Sequence, residues 1–181
     1  MTGRLAMLDS ALTADVISLA VGGDEVAFTR IVEAHHADML RIAYVTCGDV
    51  DVAADAAQAA WVIAWRRLGS LNDPRRLRPW LMSVAANEAR QQIRGRGRRR
   101  LREISVIDRT PASTDPAQSS RIDLANALAT LDPRDRALLG LRYIAGLDST
   151  EVGREVGMSP TAVRSRLSRS IGRLRKELGD E

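Results

Sequence analysis

The sequence predicts an all-α fold of two small helical domains joined by a flexible linker, the C-terminal one containing a helix-turn-helix. Three observations predict it. Apolar residues recur at helical spacing along most of the chain, and no β-branched alternating run appears. Aromatic residues make up only 3% against 45% hydrophobic, so any core is built from Leu, Val, Ile and Ala. A polar stretch with two prolines, SVIDRTPASTDPAQSS over 105–120, separates two periodic parts and has no apolar stripe of its own. The expected division is therefore 15–104, a linker over 105–120, and 121–178.

Residues 1–14 show no strong periodicity and read as a lead-in. From Asp24, after Gly22-Gly23, Phe28, Ile31, Val32, Met39, Ile42 and Ala43 fall on one helical face, and Gly48 ends that helix. A second helix opens near Asp51, with Ala54, Ala57, Trp61, Ala64, Trp65 and Leu68 expected on its apolar face. SLNDPRR breaks the pattern. Asp73 can cap a third helix with Pro74 at its first position, where a missing N–H costs nothing. Leu77, Trp80, Leu81, Val84 and Ile93 are its expected core residues. Two glycines and dense positive charge in RGRGRRRLR are expected to stop it. After the linker, helices are expected at about 121–130 and from Asp132-Pro133 to Tyr143, with Gly146 as a stop.

The last two helices carry the clearest punctuation. Asp148 with Glu151 three residues on matches a capping box, Gly157 suits the left-handed residue that ends a helix, and Ser159-Pro160 opens the next one. A short helix, a tight turn with Gly and a longer helix make a helix-turn-helix. At about 100° per residue, Val163, Leu167, Ile171, Leu174 and Leu178 cluster on one side of the longer helix. Thr161, Arg164, Ser165 and Ser168 lie opposite, with Arg166, Arg169 and Arg173 on a flank. Between Pro160 and Lys176 stand six basic residues and no acid. A solvated face would mix both signs in i,i+4 pairs. A DNA-reading helix accounts for the pattern better. Arg164 can contact a guanine edge bidentately beside small hydroxyls that let the helix approach, while Arg166, Arg169 and Arg173 suit phosphates.

Charge is unevenly spread. Residues 1–62 hold three Arg against nine acids, net −6; 63–110 hold thirteen Arg against four acids, net +9; 111–181 hold eleven basic residues against ten acids, net +1. An acidic first third beside a basic middle suggests two partners of opposite sign. Other classes find little support. The single Cys47 permits no intrachain disulfide or zinc cluster, and the adjacent His35 and His36 point about 100° apart on a helix, so no metal site is expected. No phosphate-cradling glycine loop or catalytic pairing is recognisable, so neither a cofactor nor an enzymatic activity is expected. No apolar run suggests membrane insertion, and a cytoplasmic location is expected.

The order of pieces is specific: GDEVAFTRIVEAHH, then AADAAQAAWVIAWRRL with Asp55 and Gln58 ahead of Trp61 and Trp65, then RPWLMSVAANEAR with Asn87, then the linker and helix-turn-helix. This arrangement resembles bacterial RNA polymerase sigma factors of the sigma-70 family, in particular the extracytoplasmic-function group. The resemblance covers about 15–104, corresponding to sigma region 2, and 121–178, corresponding to region 4. It implies that the first part binds the polymerase clamp and opens the promoter −10 element, and that the second reads the −35 element. Asp55, Gln58 and Val62, on a face distinct from the Ala54, Ala57 and Trp61 stripe, become the expected polymerase contacts. Asn72 and Asp73 lie where the family grips a flipped −10 base, and Arg75, Arg76, Arg90, Arg94, Arg96 and Arg98 suit the phosphate backbone and the separated strand. Core RNA polymerase, promoter DNA and an anti-sigma protein are the implied partners. The sequence departs from the family's pattern at Ala59 and Gln91, where acids are usual. The alternative is a free-standing helix-turn-helix regulator that works without polymerase; it would not need the Asp55 helix or the Trp80 block.

Overall fold

The computed structural model describes residues 14–100 and 116–179, all helices and turns with no strand among them. The lead-in up to residue 13 and the linker up to residue 115 lie outside the described residues. Eight helices run in order: α1 (Ala14–Val21), α2 (Glu25–Cys47), α3 (Val50–Arg67), α4 (Leu77–Arg100), α5 (Pro116–Ala129), α6 (Pro133–Leu139), α7 (Ser149–Val156) and α8 (Pro160–Leu178). Two 3₁₀ turns, Leu68–Ser70 and Pro74–Arg76, connect α3 to α4, and a π turn, Gly140–Ile144, extends α6.

Local signals set most boundaries. Asp24 caps α2 by accepting from the Ala27 N–H at 2.8 Å, and Gly48 closes it at φ 74°, a conformation a Cβ would strain. Asp49 caps α3 through the Val52 N–H at 2.9 Å. Helix α4 is described to Arg100, inside the glycine–arginine run expected to end it; it passes through Gly95, which takes no positive φ. Two expectations need correction. Helix α5 begins at Pro116, inside the expected linker. The helix from Pro133 keeps α geometry only to Leu139 before the π turn.

Helices α2, α3 and α4 pack on one another, with α1 laid against α2. Ile31, Met39, Ile42, Leu68, Leu81 and Met82 are fully buried among them. The buried stripe of α3 runs through Ala53, Ala56, Ala57, Ala60 and Ala64, while Ala54 is exposed, so the stripe is rotated from the one expected. Both α2 and α4 cover α3, and alanines let the three backbones approach where larger residues could not. The aromatics are pushed to the edge of this stripe. Trp61 is half-buried and donates its ring N–H to His36 at 3.1 Å, whereas Trp65 is 40% exposed and meets Phe28 edge-on at 4.7 Å.

The C-terminal helices do not form a separate core. Leu138, Leu141, Val152 and Val163 are fully buried and join the apolar cluster of the N-terminal bundle, with α6 and the π turn against α2 and α7 against α4. Gly140 packs against Ile42, where a Cβ would sit at ordinary contact distance, 3.7 Å. Polar contacts span the same junction. Arg76 pairs with the buried Glu155, which also accepts from the Ser83 hydroxyl at 3.3 Å. Arg78 donates to the Ala145 carbonyl and to Asp38, the latter at 3.0 Å. No described helix is long and apolar enough to cross a membrane.

Candidate nucleic-acid interface

The helix-turn-helix is built from α7 and α8. Asp148 accepts from the Thr150 and Glu151 N–H groups at 2.7 and 2.8 Å, and Glu151 accepts from the Asp148 N–H at 2.8 Å, completing the capping box. The hydrogen bond from Glu151, then that from Thr150, holds the Asp148 carboxyl below its usual range. Gly157, at φ 68°, ends α7, and the Ser159 hydroxyl caps α8 by accepting from Ala162 at 3.2 Å. Between them Gly153 is buried against the turn; a Cβ on it would lie 2.5 Å from the Met158 carbonyl oxygen. The absence of a side chain at 153 therefore sets how closely α8 crosses α7.

Val163 and Leu167 face the core, and Thr161, Arg164, Ser165, Ser168, Arg169 and Arg173 stand exposed on the outer side of α8. Arg164 donates to the Thr161 hydroxyl at 3.1 Å, which draws two expected base-reading groups together. Arg169 reaches the Ser165 carbonyl at 3.4 Å. Arg166 is placed differently. It is half-buried and ion-paired with Asp135, so it ties α8 to α6.

Reading from the sequence missed three residues beside this face. Arg142, Ser149 and Arg175 join Arg164 and Ser168 around an open concavity of about 570 Å³. Arg175 could have been found, since three helical turns from Arg164 return it to nearly the same angle. Arg142 could not, because the π turn brings it in from another element.

On the N-terminal bundle, Asn72 is exposed and Asp73 caps the second 3₁₀ turn through the Arg75 N–H at 3.1 Å. Asp73 also holds the Arg75 guanidinium at 3.0 and 3.2 Å. That bond, first among its causes, keeps the Asp73 carboxyl low. Arg76 is engaged by Glu155, as above. Arg90 donates to the Asn87 amide oxygen at 3.0 Å. Its pKa is lowered first by partial burial and then by the charges of Arg94, Arg134 and Arg166. Basic residues of α4, α6 and α8 thus share one field across the junction, which favours a polyanion. On α3, Asp55, Gln58 and Val62 are exposed together, and the Asp55 carboxylate lies 3.5 Å from Arg96. No cluster of metal-ligating side chains occurs among the described residues.

The family model of Sigma-70 region 2 matches residues 31–99, and that of Sigma-70 region 4 matches residues 121–174. The RNA polymerase sigma factor CarQ of Myxococcus xanthus is 34% identical over 132 residues, spanning 71% of this chain and 76% of CarQ. The chain belongs to the sigma-70 family. The ECF RNA polymerase sigma factor SigL of Mycobacterium tuberculosis is 28% identical over 90% of this chain and 97% of its own length. Some relatives are longer: the chain spans 42% of one from Xanthomonas campestris, 33% identical to it. Two solved structures share the fold at 24% identity. CnrH in complex with the cytosolic domain of CnrY has a TM-score of 0.69 and covers 92% of this chain and 96% of its own. The sigma factor RpoE with the anti-sigma factor NepR, from Bartonella quintana, has a TM-score of 0.71 and covers 84% and 96%.

Proposed function

We propose that this chain is a transcription initiation factor that binds core RNA polymerase and directs it to particular promoters. Thr161, Arg164, Ser165 and Ser168 of α8 read bases of the −35 element, and Arg169 and Arg173 meet phosphates on its flank. Arg166 acts there through position: its bond to Asp135 fixes the angle of α8, and its charge adds to the field. Asn72 and Asp73 meet the −10 element, with Arg75, Arg90 and Arg94 along the strand; Arg76 joins them only when its pair with Glu155 opens. Asp55, Gln58 and Val62 form the polymerase contact. The residues carry recognition only, and no bond-making step is assigned to the chain. It acts in the cytoplasm, with an anti-sigma protein as its regulator.

The observation that supports this reading best is the outer face of α8. It presents hydroxyls and guanidiniums with no acid, on a helix fixed by two caps and a glycine contact. Base edges in the major groove need such donors at the surface of a helix. A run-off transcription assay with core polymerase tests it. The chain should confer initiation at a subset of promoter fragments, and Arg164→Ala should remove that selectivity. Selective duplex binding that is indifferent to core polymerase would instead favour the free-standing regulator.

A further inference from the structure

Arg136 is a buried charge of the junction with no ion-pair partner among the described residues. It sits on α6 facing the end of α2, 8% exposed. Its Nε is buried without a hydrogen-bond partner, and the guanidinium forms no ion pair with a described residue. Arg78 shows the contrast: its Nε is unpartnered too, but its Nη groups bond to Ala145 and Asp38. Arginine stays protonated and carries five N–H donors, and a buried charge left unpaired is among the costliest groups a protein can hold. The neighbours offset it only in part. Asp132 acts on it through space but forms no ion pair with it, and its carboxylate caps α6 by accepting from the Arg134 N–H at 2.7 Å. The Cys47 thiol donates to the Asp49 carbonyl at 3.2 Å, and burial pushes its pKa up, so it remains neutral.

This guanidinium lines a cleft of about 500 Å³. The other walls are mainly apolar: Tyr44 and Val45 from α2, Leu124 and Leu128 from α5. Tyr44 and Leu124, at 41% and 44% exposure, leave apolar surface uncovered at the rim. Few polar groups at a defined point in an apolar cleft of this size make a small-molecule site. We propose that the cleft binds a small amphipathic carboxylate, its head on Arg136 and its apolar body against Tyr44, Leu124 and Leu128. The walls come from both matched family regions, so the ligand stabilises the packed arrangement of the two halves over any separated one. This site is independent of the promoter-reading surface, and its failure leaves the proposed function untouched.

The test uses the full chain, with decanoate as probe and decanol as its uncharged counterpart, by calorimetric titration and thermal melting. Decanoate should bind saturably and raise the melting temperature. Decanol should bind roughly ten- to hundredfold more weakly, the worth of charge-assisted hydrogen bonds to a buried guanidinium. Arg136→Gln should weaken decanoate by a similar factor while the unliganded variant melts no lower than the parent, because it removes an unpaired charge. Ala129→Trp, an exposed position on the cleft wall, should block binding and leave the chain folded. Equal binding of acid and alcohol, or no saturable binding, would overturn the proposal. An unliganded Arg136→Gln that melts well below the parent would overturn it too, because the guanidinium would then already be paired within the chain.

Discussion

Gly153→Ala is the sharpest test of how the recognition helix is held. Alanine is better than glycine inside a helix by about 0.8–1.0 kcal/mol, so propensity alone says the change stabilises α7. The local geometry says the opposite. The new Cβ would stand 2.5 Å from the Met158 carbonyl oxygen and 3.5 Å from the Pro160 nitrogen. Both are backbone atoms, so no rotamer change relieves the contact. The Gly153 carbonyl also accepts from the Met158 N–H at 2.8 Å, which ties the turn to the same spot. Overpacking costs typically about 1–3 kcal/mol, and a rigid backbone target puts this case toward the upper end. The net expectation is a loss of about 1–2 kcal/mol, or about 2–8 °C in melting temperature for a chain of this size. Moving α8 away from α7 should also lower −35 affinity even though no DNA-facing residue changes. Gly172→Ala provides the control: it lies in α8 with nothing within 4 Å of its Cβ and should gain up to about 1 kcal/mol. Circular dichroism melts of both variants and promoter binding by the polymerase complex measure the two effects. A Gly153→Ala protein that melts with or above the parent and binds promoter normally would refute the idea that this contact sets the helix crossing.

Four further outcomes are expected. Arg164→Ala should reduce discrimination among −35 sequences by about 1–3 kcal/mol, whereas Arg169→Ala should weaken all sequences alike; competition binding across a −35 library separates them. Asp55→Arg should impair core polymerase binding in a pull-down and shift stability by no more than about 1 kcal/mol, since Asp55 is exposed and its pair with Arg96 at 3.5 Å is a surface one. Glu155→Gln should free Arg76 for phosphate, so that the slope of log affinity for duplex against log salt steepens by about one unit; an unchanged slope would mean Arg76 stays away from DNA. Asp148 has a folded pKa below its unfolded one, so its contribution is present above the unfolded value and is lost as pH falls through the folded value. Asp148→Asn keeps an acceptor that does not titrate, and should flatten the decline of melting temperature over that acid window.

What the sequence made legible is what short-range chemistry decides. Asp24, Gly48, Asp148 with Glu151, Gly157 and Ser159 each announce a helix end within three or four residues, and each stands where it was expected. The outward face of α8 was equally readable, because one helix presents it. The same local reading failed where distant elements intervene. The α3 stripe rotates because two helices cover it. Arg76 meets Glu155 across 79 residues of sequence, and Arg142 reaches the α8 face only through a π turn. Helix α1 was missed because eight residues with three buried apolar side chains leave too little periodicity to read. The placement of the recognition groups on DNA and polymerase still rests on those local faces, which is why the variants above address single residues.

The arginines follow a rule that joins the packing to the proposed function. At the junction, three half-buried guanidiniums meet an acid: Arg76 has Glu155, Arg78 has Asp38, and Arg166 has Asp135, while Arg90 bonds the Asn87 amide. Out on the surface, Arg41, Arg75 and Arg96 pair with acids, but Arg94, Arg134, Arg164 and Arg169 have no acid partner among the described residues. The difference follows from solvation. A charge removed from water needs a partner to recover its hydration, while an exposed one is stable alone and remains available to a phosphate. The exposed set also repels itself across the junction, as its effect on Arg90 shows, so the packed arrangement is held by the apolar core and the acid pairs against its own positive field. Arg136 breaks the rule. It is more buried than any of the paired three and forms no ion pair with a described residue, in a cleft whose remaining walls are mainly apolar. A fold that pairs Arg76, Arg78 and Arg166 with acids leaves this more buried guanidinium lining an open cleft, which is what a site for an external anion requires.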